Sequence, residues 1–114
     1  MLLVVADDLI WASRLASAAE RTGLSVRRAS SLPAEQGVVS SAIVDLGGRR
    51  YDGIEAIARL SEAGAAVAAV CNHEDVALRR RALDAGAHQV WSYNRFHREG
   101  PVLVERWLRP VVAS

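Results

Sequence analysis

Acidic side chains stand where apolar runs of this 114-residue chain end. Asp7 and Asp8 follow the run at Leu2–Ala6, and Asp45 closes Ala42–Val44 just ahead of Gly47, Gly48, Arg49 and Arg50. Cys71 and Asn72 follow a further run, Ala65–Val70, while Tyr93, Asn94 and Arg95 follow Gln89–Ser92. Carboxylates crowded in a low-dielectric setting repel one another unless a cation lies between them. Magnesium suits such a set, because it takes oxygen ligands, keeps several waters and is held by one or two carboxylates together with a phosphate. A carboxylate left over from the metal set can act as a nucleophile toward a phosphoryl donor. The plainer reading is that Asp45 ends a strand and that Asp7 and Asp8 cap a helix, both ordinary uses of aspartate.

Whether these acids meet depends on the elements that carry them. Leu2–Ala6 reads as a short buried strand, and Trp11, Leu15, Ala18 and Ala19 then recur at helical spacing up to a stop at Gly23. Leu24–Ala29 alternates as an edge strand does, and Ser30–Gly37, which contains Pro33, has room for a helical turn at most. A third strand begins at Val38 or Ser41 and ends at Asp45, and Ile54, Ile57, Ala58 and Leu60–Ala63 form a helix stopped near Gly64. Ala65–Val70 is a fourth strand, followed by a helix carrying Val76, Ala77, Leu78, Leu83 and Ala85 that closes at Gly86. The last strand is Gln89–Ser92. Pro101 suits the first position of a final helix with Leu103, Val104, Trp107 and Leu108 on one face.

This alternation predicts an α/β domain over residues 1–114, with a parallel sheet covered on both faces. In such sheets ligands bind outside the carboxyl ends of the strands, and right-handed crossovers bring successive strand tips to one edge. Asp7, Asp8, Asp45, Cys71, Asn72 and Tyr93–Arg95 all fall on that rim.

Composition narrows the function classes. With 51% hydrophobic and 24% charged residues the chain is of folding type, and a net charge of +1 makes no case for a nucleic-acid surface. The first residues lack a basic region and a cleavage pattern, and no apolar run reaches the ~20 residues of a membrane span, so a cytoplasmic location is expected. The single cysteine fits a reducing compartment. Cys71, His73 and His88 lack the spacing of a structural zinc site, and Arg79–Arg81 read as a solvated helix surface. Gly47 and Gly48 do not follow the spaced-glycine phosphate-binding patterns. A Rossmann-like domain that binds a nucleotide or other small molecule is the alternative reading, and no acid and histidine pair is placed to make Cys71 a hydrolytic nucleophile. The chain is not expected to be an enzyme.

Three stretches together resemble the receiver domain of two-component response regulators, over Leu2 to about Leu108. "VVADD" resembles that family's first strand and acidic pair, "AIVDLGGRRYDGIEAI" the segment from the phospho-accepting aspartate to the next helix, and "ALDAGAHQVWSYNRF" the fourth helix and fifth strand. The resemblance implies a flavodoxin-like doubly wound sheet of order 2-1-3-4-5, with the second helix short or absent. It implies Asp45 as phospho-acceptor, and Asp7, Asp8, Asp45 and the Gly47 carbonyl as ligands of a weakly held Mg2+.

The departures from the family are equally specific. Where it has Ser or Thr after the fourth strand, this chain has Cys71, a weaker hydrogen-bond donor. Where it has lysine before a proline, this chain has Tyr93 if aligned without a gap, or Asn94 if one residue is inserted, with Arg95 beside them. The chain contains no lysine at all. The resemblance therefore implies an atypical receiver, or pseudo-receiver, in a phosphorelay: phosphorylation is possible at Asp45, and the switch is impaired at Cys71, Tyr93, Asn94 and Arg95. It would act through a protein partner or as a homodimer, using the fourth helix (Val76–Ala85), the fifth strand and the last helix, with Trp91, Arg106 and Trp107 as interface residues. A histidine kinase is a further partner candidate, and neither nucleic acid nor membrane is expected.

Overall fold

The computed structural model describes residues 1–32 and 39–109. The apolar runs become strands because each is only four to six residues long and is buried on both sides. The order is β1 (Leu2–Val5), α1 (Leu9–Glu20), β2 (Val26–Ala29), β3 (Ser41–Asp45), α2 (Gly53–Glu62), β4 (Ala66–Cys71), α3 (Val76–Ala85), β5 (Gln89–Ser92) and α4 (Tyr93–Leu108). All neighbouring strands pair in parallel in the order β2-β1-β3-β4-β5, the flavodoxin-like topology. β2, at the edge, has the half-exposed pattern its alternating residues foretell. The expectation of a short second helix falls largely on residues 33–38, outside the described residues.

Register aligns the strand tips. Val5 lies opposite Val44, Asp45 opposite Val70, and Cys71 opposite Ser92. Side chains alternate across the sheet. Leu2, Val4, Ile43, Ala68, Val70 and Trp91 therefore meet α1 and α4, while Leu3, Val5, Ala42, Val44, Val67 and Ala69 meet α2 and α3.

Each helix begins on a side-chain cap. Asp8, Asp52, Asp75 and Ser92 accept hydrogen bonds from first-turn amides of α1, α2, α3 and α4. α3 ends at Gly86, whose φ of +121° and closeness to the Ser61 side chain both demand the absence of a Cβ.

Two expectations need correction. Pro101 lies inside α4, because Ser92 caps the helix eight residues earlier than a proline start would. Trp91 is 3% exposed and turned into the core, packed on Phe96 and Trp107 at ring separations of 5.7 and 5.8 Å. Its strand is covered on both faces, so alternation gives it no route to the surface.

Candidate functional site

Asp45 is the last residue of β3 and one of the two buried polar residues among those described, with 2% of its surface exposed. Its Oδ1 accepts a hydrogen bond of 2.9 Å from the Gly47 amide and a second, short one from the Tyr93 hydroxyl. Burial raises its carboxyl above the usual range, those two donors oppose the rise, and the charges of Asp8 and Asp7 add to it. The three acids are thus close enough to feel one another, as the strand order requires.

Each of the other two acids holds a main-chain group. Asp7 Oδ2 accepts from the amides of Arg49 and Arg50 at 2.7 and 2.8 Å, and these donors hold its carboxyl below the usual range. Asp8 Oδ1 accepts from the Trp11 amide at 3.0 Å as the N-cap of α1. Asp7 therefore fastens the loop after β3 to the tip of β1. Among the described residues no three acidic, histidine or cysteine side chains are grouped to hold a metal ion. A magnesium ion needs oxygens converging on near-octahedral positions. Here one oxygen of each acid accepts from a protein donor, and the other oxygen of each carries no protein hydrogen bond among the described residues.

Geometry separates the candidate positions after β5. Tyr93, the first residue of α4, reaches Asp45, whereas Asn94 and Arg95 are exposed one and two residues further along the helix. Arg95 instead pairs with Glu99 at 3.6 Å along the helix surface. The alignment without a gap is thus the one that puts a side chain on Asp45. Cys71 is buried at the tip of β4, and burial pushes its thiol upward.

Tyr51 is the residue that sequence reasoning missed. Its hydroxyl lies 2.5 Å from the Asp45 carbonyl and 3.1 Å from that of Val5, bridging the ends of β3 and β1. Burial first, and Asp45 next, push the Tyr51 phenol far above its usual value; burial and the same carboxylate do so for Tyr93. Both therefore stand as neutral donors. The one sequence signal was the Gly-Gly pair: a methyl group at Gly48 would overlap the Tyr51 ring, and one at Gly47 would overlap the Tyr93 hydroxyl.

Behind Tyr93 lies a run of aromatic rings. Trp11 sits 4.7 Å from it, Phe96 lies 6.2 Å from Trp11, and Trp91 and Trp107 follow. The Arg14 guanidinium covers the outer side of Trp11 at 5.2 Å.

No family model and no curated protein matches the chain. Solved structures do. A response regulator from Burkholderia pseudomallei, solved with a phosphorylated aspartic acid, a calcium ion and citrate, is 25% identical with a TM-score of 0.70; the match covers 81% of this chain and 58% of that one. A putative response regulator from Chloroflexus aurantiacus is 21% identical with a TM-score of 0.79, covering 93% and 94% of the two chains. The beryllofluoride-activated DrrB receiver domain is 16% identical with a TM-score of 0.81, over 94% and 95%. Strand order, rim and these matches agree that the chain has the receiver-domain fold of response regulators.

Proposed function

We propose that the chain is an atypical receiver domain that serves signal transduction through protein contacts, with its phosphorylation-driven switch impaired. The observation that carries this reading is the Tyr93 hydroxyl on Asp45, at the position where the resembled family has lysine. A phosphoryl group is dianionic, and the ammonium that would pair with it is absent. One charge-assisted hydrogen bond is worth roughly 1.5–3 kcal/mol. Moving a two-state equilibrium from 1:99 to 99:1 takes about 5.5 kcal/mol. Losing the ammonium, and a hydroxyl at Cys71, removes a large share of that drive.

The contact surface in this reading is the face of α3, β5 and α4, open to a second copy or to another protein, with a histidine kinase as a candidate phosphodonor. Arg106 is exposed there and Trp107 is half-buried over Trp91, a pairing of arginine and aromatic of the kind that anchors interfaces. No helix among the described residues is long and apolar enough to cross a membrane.

Backbone NMR with and without beryllofluoride as phosphate mimic tests the switch. The signals of α3 and β5 are expected to stay in place, and large shifts there would end the impaired-switch reading. Light scattering and affinity capture on the wild type and on Arg106→Glu test the surface. An association lost in the variant supports it; a monomer with no recovered partner in both does not.

A further inference from the structure

The crevice at the rim is filled by two tyrosines, one from each side of the sheet. Tyr93 enters from the start of α4 and donates to Asp45 Oδ1; Tyr51 enters from the loop before α2 and donates to the ends of β1 and β3. Gly47 and Gly48 lie under them, each where a Cβ would collide with the tyrosine above it. The same loop is tied down from below by Asp7 through the amides of Arg49 and Arg50.

A cation and a phosphoryl group would need these places. Asp45 is 2% exposed and its Oδ1 is held by two donors, so a phosphoryl donor has only Oδ2 to approach, beside the Tyr93 hydroxyl. The half-buried Tyr93 ring is backed by Trp11 at 4.7 Å, and Trp11 in turn by Arg14, so moving it aside would break that stack. A metal that drew on Asp7 Oδ2 would compete with the Arg49 and Arg50 amides for that oxygen. The neutral phenols supply, from within the chain, the donors that the buried Asp45 carboxylate and the carbonyls of the buried residues Val5 and Asp45 need.

We infer that Tyr93 and Tyr51, seated on Gly47 and Gly48, are an internal plug that takes the place of cation and phosphoryl group and holds the loop Leu46–Tyr51 in one arrangement without either. The inference rests on the receiver reading for the meaning of the crevice and goes beyond it: the phenols compete with the ligands for the crevice, in addition to the switch being poorly coupled. Tyr93 is the removable half of the plug, and Tyr51 is the half that ties the strands.

The test uses the full chain, labelled for NMR, titrated with magnesium and then with magnesium plus beryllofluoride. The amides of Gly47, Arg49 and Arg50 are read in the wild type, in Tyr93→Lys and in Tyr93→Ala. The wild type is expected to show no saturable shift at millimolar magnesium or with the mimic. At least one variant is expected to gain saturable shifts, with apparent binding tightened by roughly tenfold or more. Saturable shifts in the wild type overturn the plug, and so does a pair of folded variants that gain nothing. Should the variants fail to fold, slow solvent exchange of the two tyrosine hydroxyl protons in the wild type supports the plug and fast exchange overturns it. Wild-type shifts confined to Gly47, Arg49 and Arg50 would overturn the plug alone, whereas shifts that spread into α3 and β5 would also remove the impaired-switch reading.

Discussion

The two faces of the sheet are filled by different chemistry. Of the six aromatic residues in the chain, Trp11, Trp91, Tyr93, Phe96 and Trp107 lie on the side of α1 and α4, and only Tyr51 on the side of α2 and α3. The second side is built largely from small residues, among them Ala42, Ala56, Ala65, Ala69, Ala82 and Ala87. Rings fill space with few rotatable bonds and fix their neighbours' orientation. Alanines let helices lie close on the strands and leave little room for anything larger. The aromatic side therefore sets the direction of Tyr93, and the alanine side sets the distance at which α2 delivers Tyr51.

The contrast can be broken from either side. Trp91→Ala removes the ring that joins Phe96 to Trp107, and a loss of about 3–5 kcal/mol is expected in urea unfolding. A cost under ~1 kcal/mol would mean that the rings pack loosely and that the aromatic side is not the stiff one. On the other side, Ala82→Leu inserts volume where α3 meets the sheet with no exposed surface, and about 1–3 kcal/mol is expected to be lost through overpacking. A neutral or stabilising result would show slack between α3 and β4.

The smallest effect concerns the acids at the rim, and it separates them by sign. Asp7 has its folded value lowered, so its contribution to stability is present above the unfolded carboxylate value and is lost as pH falls through the folded one. Asp45 has its folded value raised, so its contribution is fully present below the unfolded value and is lost as pH rises through the folded one. Asp45→Asn, which still offers Tyr93 an oxygen, is therefore expected to raise the unfolding midpoint at neutral pH. Asp7→Asn is expected to lower it there and to do little at acid pH. Midpoints of the two variants that move the same way at pH 7 would contradict this division.

Much of the fold was legible because strands here are short apolar runs and helices stop at glycine. The alternation of Leu2–Val5, Ser41–Asp45 and Ala66–Cys71 with periodic segments left few topologies, and the rim followed from them. The partners of the rim residues were less legible. Tyr51, in "GGRRYDG", carries no periodic signal, and its donation to Val5 depends on a strand 46 residues away. Asp7 reads from the sequence as an acid on the rim, but not as the acceptor of two loop amides, because that depends on residues more than 40 positions away. The start of α4 was misplaced because Pro101 is a louder signal than Ser92, although serine is the better cap.

Strand β5 runs into α4 with nothing between them: Ser92 ends one and caps the other, and Tyr93 is the first residue of a 16-residue helix. At 1.5 Å per residue that helix is a rod of about 24 Å with its fulcrum beside Asp45. A tilt of about 10° at the fulcrum would sweep the far end through roughly 4 Å, because displacement grows with distance along the rod. Pro101, near its middle, has no amide hydrogen to offer the His97 carbonyl, so the shaft has one natural flexure point. A substitution at Tyr93 that tilts the helix would therefore displace Trp107 and Leu108 further than Tyr93 itself.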